Sequence, residues 1–237
     1  MEICLLSGWA NSAEAMQPLA DLLDYQVKTR VRSVHDLASS ADTAARVVDD
    51  IGDATVLAGW SLGGMIALST ATQYPRSVRA LILIGTPAKF CSAPDYRHGF
   101  PGELLKRLAT QLKTDTEAAL RGFFQRSAVP QTPGDDDLKC RIEYAMRIGI
   151  APLLEGIAYL EDTDLRSEVS KLECPLLIIH GRKDAVVPWR AGNMLAQQIP
   201  NSHWELHPEA GHDLPLQSPA LVSDRILEFV RSLNGCQ

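Results

Sequence analysis

The chain has 237 residues, 46% of them hydrophobic and 22% charged, with a net charge of −6. That length supports one large α/β domain with a full core, and the acidic balance argues against a nucleic-acid binder. No stretch approaches the roughly 18 apolar residues of a membrane span, and the start, Met1-Glu2-Ile3-Cys4-Leu5-Leu6, has no basic region of the kind that opens a signal peptide.

In chain order, Ile3–Leu6 reads as a strand, Ala13–Asp24 as a helix and Tyr25–Val34 as a weaker strand. A helix over Ser40–Ile51 opens at a serine cap, and Ala54–Ala58 is a short apolar strand. Leu62–Tyr74 follows as a helix and Val78–Gly85 as a strong strand. Later come strand Leu176–His180, helix Trp189–Gln198, strand Ser202–Leu206 and helix Pro219–Leu233. Such alternation predicts βαβ units and a parallel sheet covered by helices on both faces. Between Thr86 and Asp164 no strand is predicted. Helical periodicity runs through Gly102–Leu112, Asp115–Gln125, Asp136–Ile148 and Pro152–Leu160, with a break at Val129-Pro130-Gln131-Thr132-Pro133-Gly134. The organisation expected is a core of residues 1–86 and 165–237 with a helical insertion, or cap, over 87–164. The five cysteines, Cys4, Cys91, Cys140, Cys174 and Cys236, show neither C-x-x-C nor Cys/His spacing, so free thiols in a reducing cytoplasm are expected, with no zinc and no disulfide framework.

Gly59-Trp60-Ser61-Leu62-Gly63-Gly64 lies between the strand ending at Ala58 and the helix beginning at Leu62. In that context G-x-S-x-G marks a nucleophile elbow. The glycines permit a turn too sharp for side chains, and the serine is expected to hold strained backbone angles. A serine hydroxyl needs a base, and the base an orienting acid. In chain order the acid candidate is Asp184, after the strand ending His180-Gly181, and the base candidate is His212, within Pro208-Glu209-Ala210-Gly211-His212-Asp213-Leu214-Pro215. Asp213, Asp162 and Asp164 are rival acids. His35, His98, His180, His203 and His207 read as structural or surface residues. The backbone N–H groups of Leu62 and of Trp9, in the loop Ser7-Gly8-Trp9-Ala10-Asn11, are the candidate oxyanion donors. The indoles of Trp9 and Trp60 are expected to wall an apolar pocket.

Taken together, the elbow, the run His180-Gly181-Arg182-Lys183-Asp184 through Val187-Pro188, and Gly211-His212 resemble the α/β-hydrolase superfamily over essentially the whole chain. Within it, Ser7-Gly8-Trp9, the elbow, Asp164-Leu165-Arg166 ahead of Cys174-Pro175, and a helical cap of similar length resemble the pimeloyl-acyl-carrier-protein methyl ester esterases of biotin synthesis. Two departures stand out. Ser7 replaces the histidine that supports the oxyanion loop in that family, and the chain starts directly in the strand before that loop. A six-stranded, all-parallel sheet without the usual first antiparallel strands is therefore expected, unless the start is truncated.

Lys89 to Arg147 carries 10 Lys/Arg against 8 Asp/Glu, whereas the rest of the chain carries 13 against 21. On this relatively basic cap the resemblance implies substrate-binding roles for Arg121, Arg126, Arg141 and Arg147, toward an acidic acyl carrier protein or its phosphopantetheine phosphate. The function expected is a serine carboxylesterase without cofactor or metal, monomeric and cytoplasmic, acting on pimeloyl-[acyl-carrier protein] methyl ester. General short-chain esterase, thioesterase or carbon–carbon bond hydrolase activity are alternatives. So is a catalytically silent ligand-binding homologue.

Overall fold

A computed structural model describes residues 1–37, 43–52 and 55–234. Six strands form one sheet: β1 (Ile3–Leu6), β2 (Thr29–Arg32), β3 (Thr55–Trp60), β4 (Val78–Ile84), β5 (Leu176–Gly181) and β6 (His203–His207), in the spatial order β2-β1-β3-β4-β5-β6. Every pairing is parallel, as expected. The helices are α1 (Gln17–Asp24), α2 (Val34–Leu37), α3 (Thr43–Ile51), α4 (Leu62–Gln73), α5 (Gly102–Thr114), α6 (Thr116–Ser127), α7 (Asp135–Ile148), α8 (Ile150–Asp162), α9 (Trp189–Gln198), α10 (Leu214–Gln217) and α11 (Pro219–Asn234). Among the described residues none is long and apolar enough to cross a membrane.

The central strands β1, β3, β4 and β5 read as continuous apolar runs because both faces of the sheet are covered. Alternate residues feed two cores. Cys4, Leu6, Leu57, Leu81 and Ile178 pack toward α3, α4 and the helices of residues 102–162. Ile3, Leu5, Val56, Ile82 and Ile179 pack toward α1 and α11. The edge strands β2 and β6 are only partly buried and carry Thr29, Arg30, Arg32, His203, Glu205 and His207. Parallel pairing sets Leu6 beside Gly59, Trp60 beside Ile84, Ile84 beside Ile179 and Gly181 beside His207. The carboxyl ends therefore share one rim. The strand order reverses between β1 and β3, where open α/β sheets leave a crevice for ligands.

Local boundaries shift for identifiable reasons. The strand predicted over Tyr25–Val34 shortens to Thr29–Arg32, since Val34 is buried at the start of α2 and Tyr25 is 87% exposed beyond α1. The helix expected from Ala13 begins as a 3-10 turn at Glu14. The Ser40 cap and Ala54 lie outside the described residues. In the β4–β5 connection, α8 begins at Ile150, two residues before Pro152, because the first turn of a helix needs no proline N–H. The short helices α2 and α10 were not legible from periodicity, four residues being too few to show a period.

Candidate active site

The turn between β3 and α4 forces Ser61 to φ 57° and ψ −118°, a left-handed conformation costly for a residue with a side chain. Close approach explains the neighbouring glycines. A Cβ on Gly59 would sit 2.4 Å from the Gly63 carbonyl oxygen, one on Gly63 2.4 Å from that of Ser7, and one on Gly64 2.0 Å from Thr86 Oγ1. Leu62 opens α4, so its N–H has no intrahelical acceptor. The helix N-terminus adds a partial positive charge there.

Three rim loops meet at this serine. His212 Nε2 lies 3.0 Å from Ser61 Oγ, and His212 Nδ1 lies 2.8 Å from Asp184 Oδ2. Asp184 Oδ1 accepts the N–H groups of Val186 at 2.8 Å and Val187 at 2.7 Å. Burial alone would raise the Asp184 pKa. The adjacent His212, together with hydrogen bonds from His180 and His212, instead holds it below the ordinary carboxylate range. His212 therefore carries its proton on Nδ1, toward the carboxylate, and leaves Nε2 to accept from the serine. Such a chain of hydrogen bonds can deprotonate a hydroxyl as it attacks a carbonyl carbon.

The loop after β1 brings Trp9 beside Ser61. Its conformation rests on side chains. Ser7 Oγ donates to the Asn11 carbonyl at 2.9 Å, and the amide of Ala10, itself at φ 59°, donates to His35 Nε2 at 2.9 Å. Ser7 thus ties down the loop. Burial pushes the His35 pKa down to about 4, consistent with a neutral ring accepting that bond. Trp9 Nε1 donates to the Leu153 carbonyl at 2.9 Å, and its ring meets Phe123 edge-on at 4.7 Å between centroids.

A cavity of about 260 Å³ opens above Ser61, walled by Trp9, Phe90, Phe123, Ile157 and Val186. Arg107 and Arg126 line it too, and both are exposed, so they stand where it meets solvent. Trp60 does not line it. That indole is 1% exposed and donates to the His212 carbonyl at 2.9 Å, supporting the histidine loop from behind the elbow and not walling a pocket.

The rival acids fall away on geometry. Asp213 turns its carboxylate to Arg141 and Ser127, and Asp164 pairs with Arg166 and Lys89. Asp162 is exposed at the end of α8. Among the cap arginines, Arg121 is exposed and paired with Glu117, and Arg147 is exposed. Arg141 is a correction. It is 6% exposed and ion-paired to the buried Asp213, so it presents no docking surface. His180 is buried as well: it donates to the Val187 carbonyl at 2.9 Å and lies 3.4 Å from Asp184 Oδ2. Sequence reasoning missed the roles of Asn11, Arg107 and Ser127, and placed His35 only among the structural or surface histidines. Arg107 lines the cavity from α5, and Asn11, His35 and Ser127 make contacts with residues distant in sequence that no local motif marks.

The family model described as alpha/beta hydrolase fold matches residues 9–219. Curated relatives include the pimeloyl-[acyl-carrier protein] methyl ester esterase of Nitrosomonas europaea, 26% identical over 227 residues covering 89% of this chain and 88% of that protein. The like-named protein of Aromatoleum aromaticum is 26% identical over 253 residues, covering 97% and 98%. That of Neisseria meningitidis serogroup C is 31% identical over 179 residues, covering 75% and 68%. Among solved structures, an esterase from Exiguobacterium antarcticum aligns with a TM-score of 0.87 at 21% identity, covering 98% of this chain and 92% of that one. A bromoperoxidase from Bacillus anthracis aligns at 0.87 and 20%, covering 97% and 91%. At those identities the structural likeness speaks for the fold.

Proposed function

This chain belongs to the alpha/beta hydrolase fold family, and we propose that within it the chain is a serine carboxylesterase working through an acyl-enzyme. The observation that carries the reading is the unbroken hydrogen-bond chain Ser61–His212–Asp184 at a strained elbow. Ser61 Oγ attacks the ester carbonyl carbon as its proton passes to His212 Nε2. Asp184 stabilises the imidazolium, and the N–H groups of Leu62 and Trp9 receive the oxyanion. Collapse of the tetrahedral adduct breaks the bond to the alcohol, which takes its proton from His212. Water, deprotonated by the same imidazole, then attacks the acyl-enzyme and releases the acid and Ser61.

The preferred substrate is the methyl ester of a carrier-linked pimeloyl chain, a reading supported by the names of the curated relatives. The apolar walls of the cavity suit a polymethylene chain, and residues 87–164 act as the cap over it. Arg126, with Arg121 and Arg147 on the exposed cap surface, would meet an acidic carrier. A fluorophosphonate probe tests the chemistry: folded protein should be labelled at Ser61, and an unlabelled Ser61 sinks the esterase reading in favour of a silent binder. For the substrate, methanol release from pimeloyl-carrier methyl ester should exceed turnover of p-nitrophenyl esters in kcat/KM. Equal values would favour a general short-chain esterase. Arg121→Glu combined with Arg147→Glu, both exposed and outside the cavity lining, should lower only the carrier-linked rate.

A further inference from the structure

The guanidinium of Arg141, carried by α7, is buried where the loops after β1 and β6 approach each other. Its Nη1 lies 2.7 Å and its Nη2 3.4 Å from the two carboxylate oxygens of Asp213, the neighbour of His212. Its Nε donates to Asn11 Oδ1 at 3.1 Å, and its plane lies 4.3 Å from the centre of the Phe124 ring. Asp213 is 1% and Asn11 2% exposed. Asp213 also accepts the Ser127 hydroxyl and donates its own N–H to the Ser127 carbonyl at 3.2 Å. Among the described residues, the other carboxylate within 4 Å of Arg141 is Asp137 on its own helix, at 3.8 Å.

What Asn11 does with the remaining contacts gives this cluster its meaning. Its backbone N–H donates to the Gly8 carbonyl at 3.2 Å, and its side-chain Nδ2 donates to the Trp9 carbonyl at 2.8 Å. The Gly8 carbonyl and the Trp9 N–H belong to one planar trans peptide and point in opposite directions. Fixing the first aims the second. Arginine offers only donors, so its contact with Oδ1 also settles which end of the Asn11 amide faces Trp9. A buried ion pair is a costly way to add stability, and apolar residues of the same volume often do as well. A forked donor between two loops supplies geometry that apolar residues cannot.

We propose that Arg141 is a positioning residue that locks the oxyanion-loop peptide, through Asn11, and the His212 loop, through Asp213, into one register, so that the helical insertion is part of the catalytic assembly and not only a cover. This rests on the serine-esterase reading above. Arg141 touches no substrate. Its loss should therefore fall on kcat, and on small substrates as much as on large ones.

The test uses p-nitrophenyl acetate, an ester whose short acyl group has little to gain from the cap. Arg141→Met leaves Asp213 buried without its cation, with only the Ser127 hydroxyl still donating to it, and can fail to fold, so it is paired with Asp213→Leu, which removes both charges together. The double variant is expected to keep a melting temperature within a few degrees of wild type, with kcat lowered about 10- to 100-fold and KM changed less than threefold. Asn11→Asp keeps an acceptor for Arg141 but takes away the donor to Trp9, and should show the same split. Adding Asn11→Asp to the double variant should cost little more, because both changes sever one link. Wild-type kcat in the double variant, or losses that multiply in the combination, overturn the inference. A wild type that neither hydrolyses this ester nor reacts with fluorophosphonate overturns the esterase reading first.

Discussion

The rim of the sheet and the helical insertion build the same site by opposite means. At the rim, backbone meets backbone. Gly59, Gly63 and Gly64 have no room for a methyl group, β3 is wholly buried, and α4 is buried along nearly its whole length. Between β4 and β5, helices α5 to α7 bury one stripe and leave the other face to solvent, and these helices and α8 meet the site through side-chain contacts: Arg141 on Asp213, Phe123 against Trp9, and the Trp9 indole on the Leu153 carbonyl of α8. Under the proposed function, chemistry is thus fixed where the chain has least freedom, and access and register where it has more.

The largest effect expected on this comparison is at the rim. Asp184→Asn should keep the fold but offer His212 the wrong partner, favouring the tautomer that cannot accept from Ser61. A fall in kcat of about 10⁴-fold is expected, with fluorophosphonate labelling slowed in proportion. A residue whose role was only structural would lose melting temperature before it lost kcat. Next comes Gly64→Ala. Its methyl would lie 2.0 Å from Thr86 Oγ1 and 2.7 Å from Thr86 Cγ2, against a buried residue and not a flexible end. A loss on the order of 3 kcal/mol is expected from overpacking, read as a lower urea midpoint at unchanged m-value.

The two regions also differ in how far the sequence discloses them. The elbow and the meeting of Ser61, Asp184 and His212 were legible because sterics and chain order restrict residue type: only glycine fits at positions 59, 63 and 64, and loops after particular strands must reach one rim. The four central strands followed from the apolar runs of the core, and the partly buried edge strands β2 and β6 from their place in the alternation with helices. The insertion's helices were legible within a few residues, since amphipathic periodicity survives without tertiary information. The duties of its arginines were not. Arg141 and Arg147 lie on one helix in similar surroundings of sequence, yet one is 6% exposed and bonded to Asp213 while the other faces solvent. What separates them is a contact with a residue 72 positions away. His35 is the same case: its bond to Ala10 crosses from α2 to the loop after β1, and no local pattern announces it.

His35 gives a smaller, pH-dependent effect within the rim. Its ring has a pKa near 4 in the folded protein, against about 6.5 in the unfolded chain. Between those values the unfolded state binds a proton that the native state does not, so stability is complete above pH 6.5 and declines as pH falls toward 4. The ceiling for this contribution is about 3 kcal/mol. His35→Gln retains an acceptor for the Ala10 N–H without titrating. Between pH 7 and 4.5 the wild type should therefore lose more melting temperature than the variant, and parallel pH profiles would remove His35 as the cause.

The smallest effect tests the insertion by the residue type that defines the rim. Gly122 sits inside α6, lines the cavity, and would meet nothing within 4 Å if it carried a Cβ. In an exposed helix interior glycine costs roughly 0.5–1 kcal/mol relative to alanine, so Gly122→Ala should stabilise the protein by about that much. For a chain of this size the melting temperature should rise by about 1–4 °C. The same exchange that jams the elbow at Gly64 thus helps the fold at Gly122. If that gain comes with a higher KM for long-chain esters and no change for acetate, Gly122 holds open the space for the acyl chain, and the insertion has given up helix stability for access to Ser61. If stability rises and every KM is unchanged, the cavity extends along a wall that Gly122 does not narrow, and the acyl chain runs past Phe123 and Ile157 instead.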